Sequence, residues 1–148
     1  MIQWPDVTSG LGGTLSSFQT SSLTKFLRIS SNFSAAAGFS LFGKDNAATV
    51  DDITQGSIGN CWFMAAASAI AEIPGRIEQM FGDKDQFNND AGFFDVNLYL
   101  LSVPITIRID DNVPTYMSTT NTVFAKIINK GVWMTVLEKA FAKMYGNY

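Results

Sequence analysis

The chain has 148 residues, a formal net charge of −3, a pI near 4.7, one cysteine and no histidine. That length suits one domain with a real core, and the acidic balance, with no basic cluster to neutralise phosphates, excludes a nucleic-acid or anionic-membrane partner. A lone cysteine forms no internal disulfide, which excludes a stapled secreted scaffold and points to a reducing, intracellular and most simply cytoplasmic setting.

From Met1 to Phe42 the sequence reads as an N-terminal extension. Gly10, Gly12 and Gly13 cluster, but Gly10-Leu-Gly-Gly13 lacks the lysine and the strand–turn–helix frame of a phosphate loop. Ser9 to Phe42 is rich in serine and threonine, with Lys25 and Arg28 as its only charges. Organelle import is the alternative this composition leaves, opposed by Asp6 and the scarcity of arginine. Low-complexity serine content predicts partial disorder unless a partner supplies contacts. The spacing of Leu23, Phe26 and Leu27 predicts a short helix over 22–28.

Gly43 to Asp52 reads as a polar loop. Gly56 and Gly59 then make a tight turn before the apolar run Trp62 to Ala71, which breaks at Glu72 and Pro74 and is too short to span a bilayer. The run predicts a helix that is apolar all round and therefore buried, with Cys61 in its first turn. The unpaired N–H groups and positive dipole end of a helix favour thiolate over thiol. Gln55, six positions upstream, is placed for its side-chain amide to fold back toward the Cys61 backbone N–H, and two such donors form an oxyanion hole. A lone cysteine on an alanine-rich helix also reads simply as a small buried hydrophobe. The ordered set Gln55, Gly56, Gly59, Cys61, Trp62 favours a nucleophile.

Pro74 separates that helix from a second over Gly75 to Phe81, with Gly82 as its stop, and Asp83 to Asp90 is a polar connector. Phe94, Val96, Leu98 and Leu100 alternate with polar positions, as do Val103, Ile105, Ile107 and Ile109. The short gap at Ser102 joins these two strands into an antiparallel hairpin, with Pro104 at a strand start or edge. Asp110-Asp111 suggests a metal pair or paired catalytic carboxylates, but no third acidic or imidazole ligand stands at a helpful spacing, so a strand-end turn into Pro114 is the better account. Met117 to Thr122 is a polar loop and Val123 to Ile128 an apolar run of undecided type. Trp133, Val136, Leu137, Ala140, Phe141 and Met144 recur at three and four, which predicts a last amphipathic helix ending at Gly146.

The segment Gln55-Gly56-Ser57-Ile58-Gly59-Asn60-Cys61-Trp62 resembles the nucleophile segment of papain-fold cysteine proteases, and Asp52-Ile53 before it narrows the likeness to the calpain family. Ala91-Gly92-Phe93-Phe94, Ile109-Asp110-Asp111 with Pro114-Thr115, and the stretch from Trp133 to Tyr148 resemble further calpain landmarks in order and spacing. The likeness covers about Asp51 to Tyr148. It implies an α+β fold similar to the first subdomain of a calpain catalytic core over residues 43–148: a buried nucleophile helix, further helices and a small antiparallel sheet.

The resemblance also implies intracellular peptide-bond hydrolysis, with Cys61 as nucleophile and Gln55 in the oxyanion hole. In calpains the histidine and asparagine that complete the site lie in the second half of the core, so this chain carries a nucleophile without a base and is expected to be inactive alone. The competing class is a non-catalytic interaction subunit derived from such a domain. A family calcium site places a carboxylate at Asp52, but its second carboxylate position, two before Trp133, is Gly131; no cofactor is assigned, and calcium stands as the open alternative. A protein partner or second catalytic half is expected over the rim formed by Gln55, Gly59, Cys61 and Trp62, unless Leu15 to Phe42 folds back to close it.

Overall fold

A computed structural model describes residues 24–57, 59–88 and 92–145. The glycine cluster and the serine stretch up to residue 23 lie outside these residues. The described chain begins with a strand, β1 (Thr24–Arg28), followed by a one-turn helix, α1 (Ile29–Asn32). Thus the helix expected over 22–28 is a strand where it is described. Its leucine and phenylalanine spacing fits a helix, but pairing decides otherwise: β1 runs antiparallel to β4 (Asn112–Tyr116), from Thr24 opposite Tyr116 to Arg28 opposite Asn112. Immediately after it, Ile29, Phe33, Leu41 and Phe42 are buried in the same core as Phe63, Val96 and Trp133. Packing therefore runs across residue 42, where the sequence alone suggests a boundary.

The second sheet is the expected hairpin of β2 (Phe93–Leu100) and β3 (Val103–Asp110), in register from Phe93 opposite Asp110 to Leu100 opposite Val103. Phe94, Val96 and Leu98 are buried, as their alternation requires. On the outer face Arg108 forks onto Asp95 directly across the ladder, at 2.8 and 2.7 Å. The two-residue turn Leu101-Ser102 has φ of 49° and 67°, the sign that a type I′ turn demands at both positions. Two small antiparallel sheets thus stand where one was expected.

Three further helices complete the α+β arrangement: α2 (Cys61–Ala71), α3 (Arg76–Gln79) and α4 (Trp133–Tyr145). α2 starts and stops where the sequence predicts, but it is not buried all round. Phe63, Met64, Ala67 and Ala71 face the core, while Cys61, Trp62, Ala65, Ala66 and Ala69 are exposed. α3 is one turn, shorter than Gly75 to Phe81, because Gly75 adopts φ 83° and the chain turns into the Phe81–Val96 bridge. The connector after Gly82 contains a 3₁₀ helix, Lys84–Asn88, in which Gln86 and Phe87 are buried.

The amphipathic stripe expected for α4 describes only its last turns, since every residue from Trp133 to Ala140 is buried. Two of these are charged. Lys139 is neutralised where it lies: its Nζ donates to Asp110 Oδ1 and Asn112 O, both at 2.5 Å. That contact, with Asp111 buried and accepting from Ser30 Oγ, explains the Asp110-Asp111 pair as structural. Among the described residues, no group of three or more metal-ligating side chains occurs.

Candidate active site

Gln55 is held on an extended segment, Ile53 to Gly56, that lies against residues 123–126. Thr54 O accepts from Lys126 N at 2.9 Å, and Ser57 N donates to Val123 O at 2.8 Å, so Gln55 is pinned from both sides. Gly56 is required by that approach. A Cβ built on it would lie 1.8 Å from Phe124 O and 2.3 Å from Val123 O, which no side chain tolerates. Gly59 has nothing within 4 Å of such a Cβ, so the demand for glycine comes from packing at Gly56 and not from Gly59.

Cys61 is the first residue of α2, free and exposed. Asn60 caps the helix through its backbone alone: its carbonyl accepts from Phe63 N at 2.9 Å and Met64 N at 3.2 Å, whereas its side chain makes no cap bond. That side chain points instead into the protein, where Nδ2 donates to Glu138 Oε1. The second oxygen, Glu138 Oε2, accepts from Ala125 N at 2.8 Å. Ala125 O in turn accepts from Thr122 Oγ1 at 2.6 Å and Thr135 Oγ1 at 3.0 Å. Glu138 is 4% exposed. Burial pushes its carboxyl up to about 7 against the pull of the Ala125 N–H and the Asn60 amide.

Beside Cys61 an aromatic file crosses from α2 to α4. The Trp62 ring, 63% exposed, stands 5.6 Å from Phe141, which stacks at 4.7 Å on Phe63 and 4.8 Å on Tyr145. Gly59, Cys61 and Trp62 are exposed, while β1 pairs with β4 and Ile29, Phe33, Leu41 and Phe42 are buried in the core. Residues 15–23 lie outside the described residues.

The calcium alternative meets an occupied carboxylate. Asp52 is buried at the end of the 3₁₀ helix Val50–Asp52. Its Oδ1 accepts from Asn129 Nδ2 at 2.8 Å; its Oδ2 accepts from Thr49 N and Oγ1, each at 3.0 Å, and from Trp133 Nε1 at 3.4 Å. Four protein donors fill roughly the four lone-pair sites of a carboxylate. Gly131 offers no side-chain oxygen, and a Cβ there would stand in tight contact, 3.1 Å from Gly43 N. A calcium ion needs several oxygens, some charged; these residues do not fit one.

Sequence reasoning places Cys61 in the first turn of its helix, as found, but gives no role to Asn60 or Glu138. The only signal for the latter was a carboxylate inside an apolar helical run, which reads as easily as a solvated face.

The chain matches the family model described as "Calpain family cysteine protease" over residues 5–148. It is similar to calpain-5 of Caenorhabditis elegans, 35% identical over 109 residues, which cover 68% of this chain and 16% of that protein. Human calpain-12 is 33% identical over 98 residues, covering 66% of this chain and 14% of the relative. Calpain-B of Drosophila melanogaster is 32% identical over 98 residues, covering 66% and 10%. The chain thus spans about a sixth or less of these relatives' length.

Proposed function

The chain belongs to the calpain family of cysteine proteases, and from that premise we propose that Cys61 is the nucleophile of a peptide-bond hydrolase, with Gln55 and the Cys61 backbone N–H as the donors of its oxyanion hole. The observation that carries this reading is the exposed thiol at the first residue of α2, preceded in the chain by a half-buried Gln55 whose flanking backbone is pinned. The sulfur adds to the peptide carbonyl carbon, and the negative charge that develops on the carbonyl oxygen is met by the two N–H donors. The thiol proton goes to a base and then to the leaving amine. With no histidine among the 148 residues, that base comes from a second catalytic half, a separate polypeptide or a further segment. The open rim at Cys61 and Trp62 is where this half docks, and residues 43–148, together with the β1–α1 segment that shares their core, correspond to the first catalytic subdomain. A free, exposed thiol suits a reducing compartment, the cytoplasm first among them.

The test is complementation. Alone, the chain is expected not to cleave a casein-type substrate. Mixed with a polypeptide carrying the histidine-bearing half of a calpain core, it gains activity that disappears in Cys61→Ala and falls by about 10²–10³-fold in Gln55→Ala. Tight association of the halves without any Cys61-dependent cleavage would instead favour the second reading, a non-catalytic interaction subunit. The absent imidazole is the observation on that side.

A further inference from the structure

The two proposed oxyanion donors sit on different elements, and one buried side chain touches the neighbours of both. Glu138 Oε1 takes the side chain of Asn60, the residue before Cys61. Glu138 Oε2 takes the N–H of Ala125, whose neighbour Lys126 bonds the backbone of Thr54 beside Gln55. We infer that Glu138 is a positioning residue: its carboxylate clamps Asn60 to Ala125 and so sets the separation of the Cys61 N–H from Gln55. The inference rests on the reading of those two groups just given.

The chemistry suits a carboxylate and nothing else of that size. Both partners are N–H donors, and an ionised carboxylate alone offers two acceptor oxygens; a glutamine would satisfy one donor and turn its own N–H₂ toward the other. The clamp has a second consequence at the helix. Asparagine is a preferred N-cap because its side-chain oxygen takes the N–H of the second or third helical residue. Drawn into the protein by Glu138, the Asn60 side chain makes no cap bond, so its carbonyl dipole is kept from the turn that presents the Cys61 N–H. An ionisable group is retained in the interior, 4% exposed, at a desolvation cost that core packing alone does not explain.

The experiment compares two reactions of Cys61 in the 148-residue chain at a pH well above 7, each corrected for the Cys61→Ala background. Acylation by p-nitrophenyl acetate passes through a tetrahedral oxyanion: the thiolate–carbonyl bond forms, the ester bond breaks, and nitrophenolate leaves without needing a proton. Alkylation by iodoacetamide displaces iodide and develops no oxyanion. The ratio of the two rates therefore reads the oxyanion hole and cancels access to the thiol.

Glu138→Gln and Asn60→Ala are each expected to lower that ratio by about tenfold, the scale on which misplaced donors lose their effect. The double variant should be no worse than the worse single one. Val136→Ala, a cavity in the same buried helix, should leave the ratio unchanged at a comparable loss of melting temperature. A ratio unmoved by Glu138→Gln, or one lowered as much by Val136→Ala, overturns the positioning role. Should Glu138→Gln fail to fold, Asn60→Ala decides, and its unchanged ratio overturns the role equally. Gln55→Ala separates the two claims. If it leaves the wild-type ratio intact, the oxyanion reading falls and this one with it; if it lowers the ratio while Glu138→Gln does not, only the positioning role falls.

Discussion

Two residues show how single groups shape this site. At Gly56 a methyl group would overlap the Phe124 carbonyl, so Gly56→Ala must push apart the segment bearing Gln55 and the strip behind it. Overpacking of this kind costs about 1–3 kcal/mol or more. A urea midpoint equal to wild type would show that the two backbones separate freely. At Glu138 the folded carboxyl titrates at about 7 against an ordinary 4.5, with burial as the leading cause. The folded state therefore holds the proton more tightly. This contribution to stability is complete below pH 4.5 and is lost as pH rises through 7, by on the order of 3 kcal/mol. Urea titrations across that window should show wild type losing stability relative to Glu138→Gln as pH rises. Parallel curves for the two proteins would remove Glu138 as the titrating group.

Among the elements, the β2–β3 hairpin carries a local conflict between sequence and conformation. Leu101 and Ser102 both adopt positive φ, which a branched side chain resists and Asn-Gly accepts. Exchanging the pair for Asn-Gly should stabilise the protein by roughly 1 kcal/mol, read as a higher melting temperature with the proposed active site untouched; an unchanged or lower melting temperature would show that Leu101 contributes packing its 91% exposure does not suggest. The strand β1 carries the opposite lesson. Its apolar spacing fits a helix, and it is a strand because Asn112–Tyr116 offers a ladder. α2 combines both: its bounds follow from the apolar run and Glu72, but its exposed face depends on what packs there.

For the molecule as a whole, the open rim and the occupied Asp52 lead to separate expectations. Trp62 with Phe141 and Tyr145 leaves an aromatic surface beside the thiol, and burying an indole commonly dominates an interface. Trp62→Ala should weaken association with a histidine-bearing catalytic half by about tenfold or more, measured by titration calorimetry; unchanged affinity would place that contact elsewhere. Calcium should matter little. Melting temperatures in millimolar calcium and in chelator are expected to agree, because the Asp52 oxygens already hold Thr49, Asn129 and Trp133. A calcium-dependent rise that vanishes in Asp52→Ala would overturn this. No helix among the described residues is long and apolar enough to cross a membrane.

Local chemistry was enough to place α2 and its cysteine, the two alternating strands with their tight turn, and the last helix, because each depends on periodicity or on residues adjacent in the chain. The motif around Gln55 and Cys61 was legible for the same reason: its members lie within seven positions. The rest was decided by contacts between residues far apart. The strand at Thr24–Arg28 needs a partner 84 to 92 positions away, since register pairs Arg28 with Asn112 and Thr24 with Tyr116. Gly56 needs the carbonyls of Val123 and Phe124, and Asn60 needs a carboxylate 78 positions on. Burial likewise separates two ionisable groups that look alike in sequence: Glu138 and Lys139 are adjacent, yet one turns to Asn60 at the head of α2 and the other to Asp110. A helical period tells which residues share a face, but only the packed chain tells what that face meets.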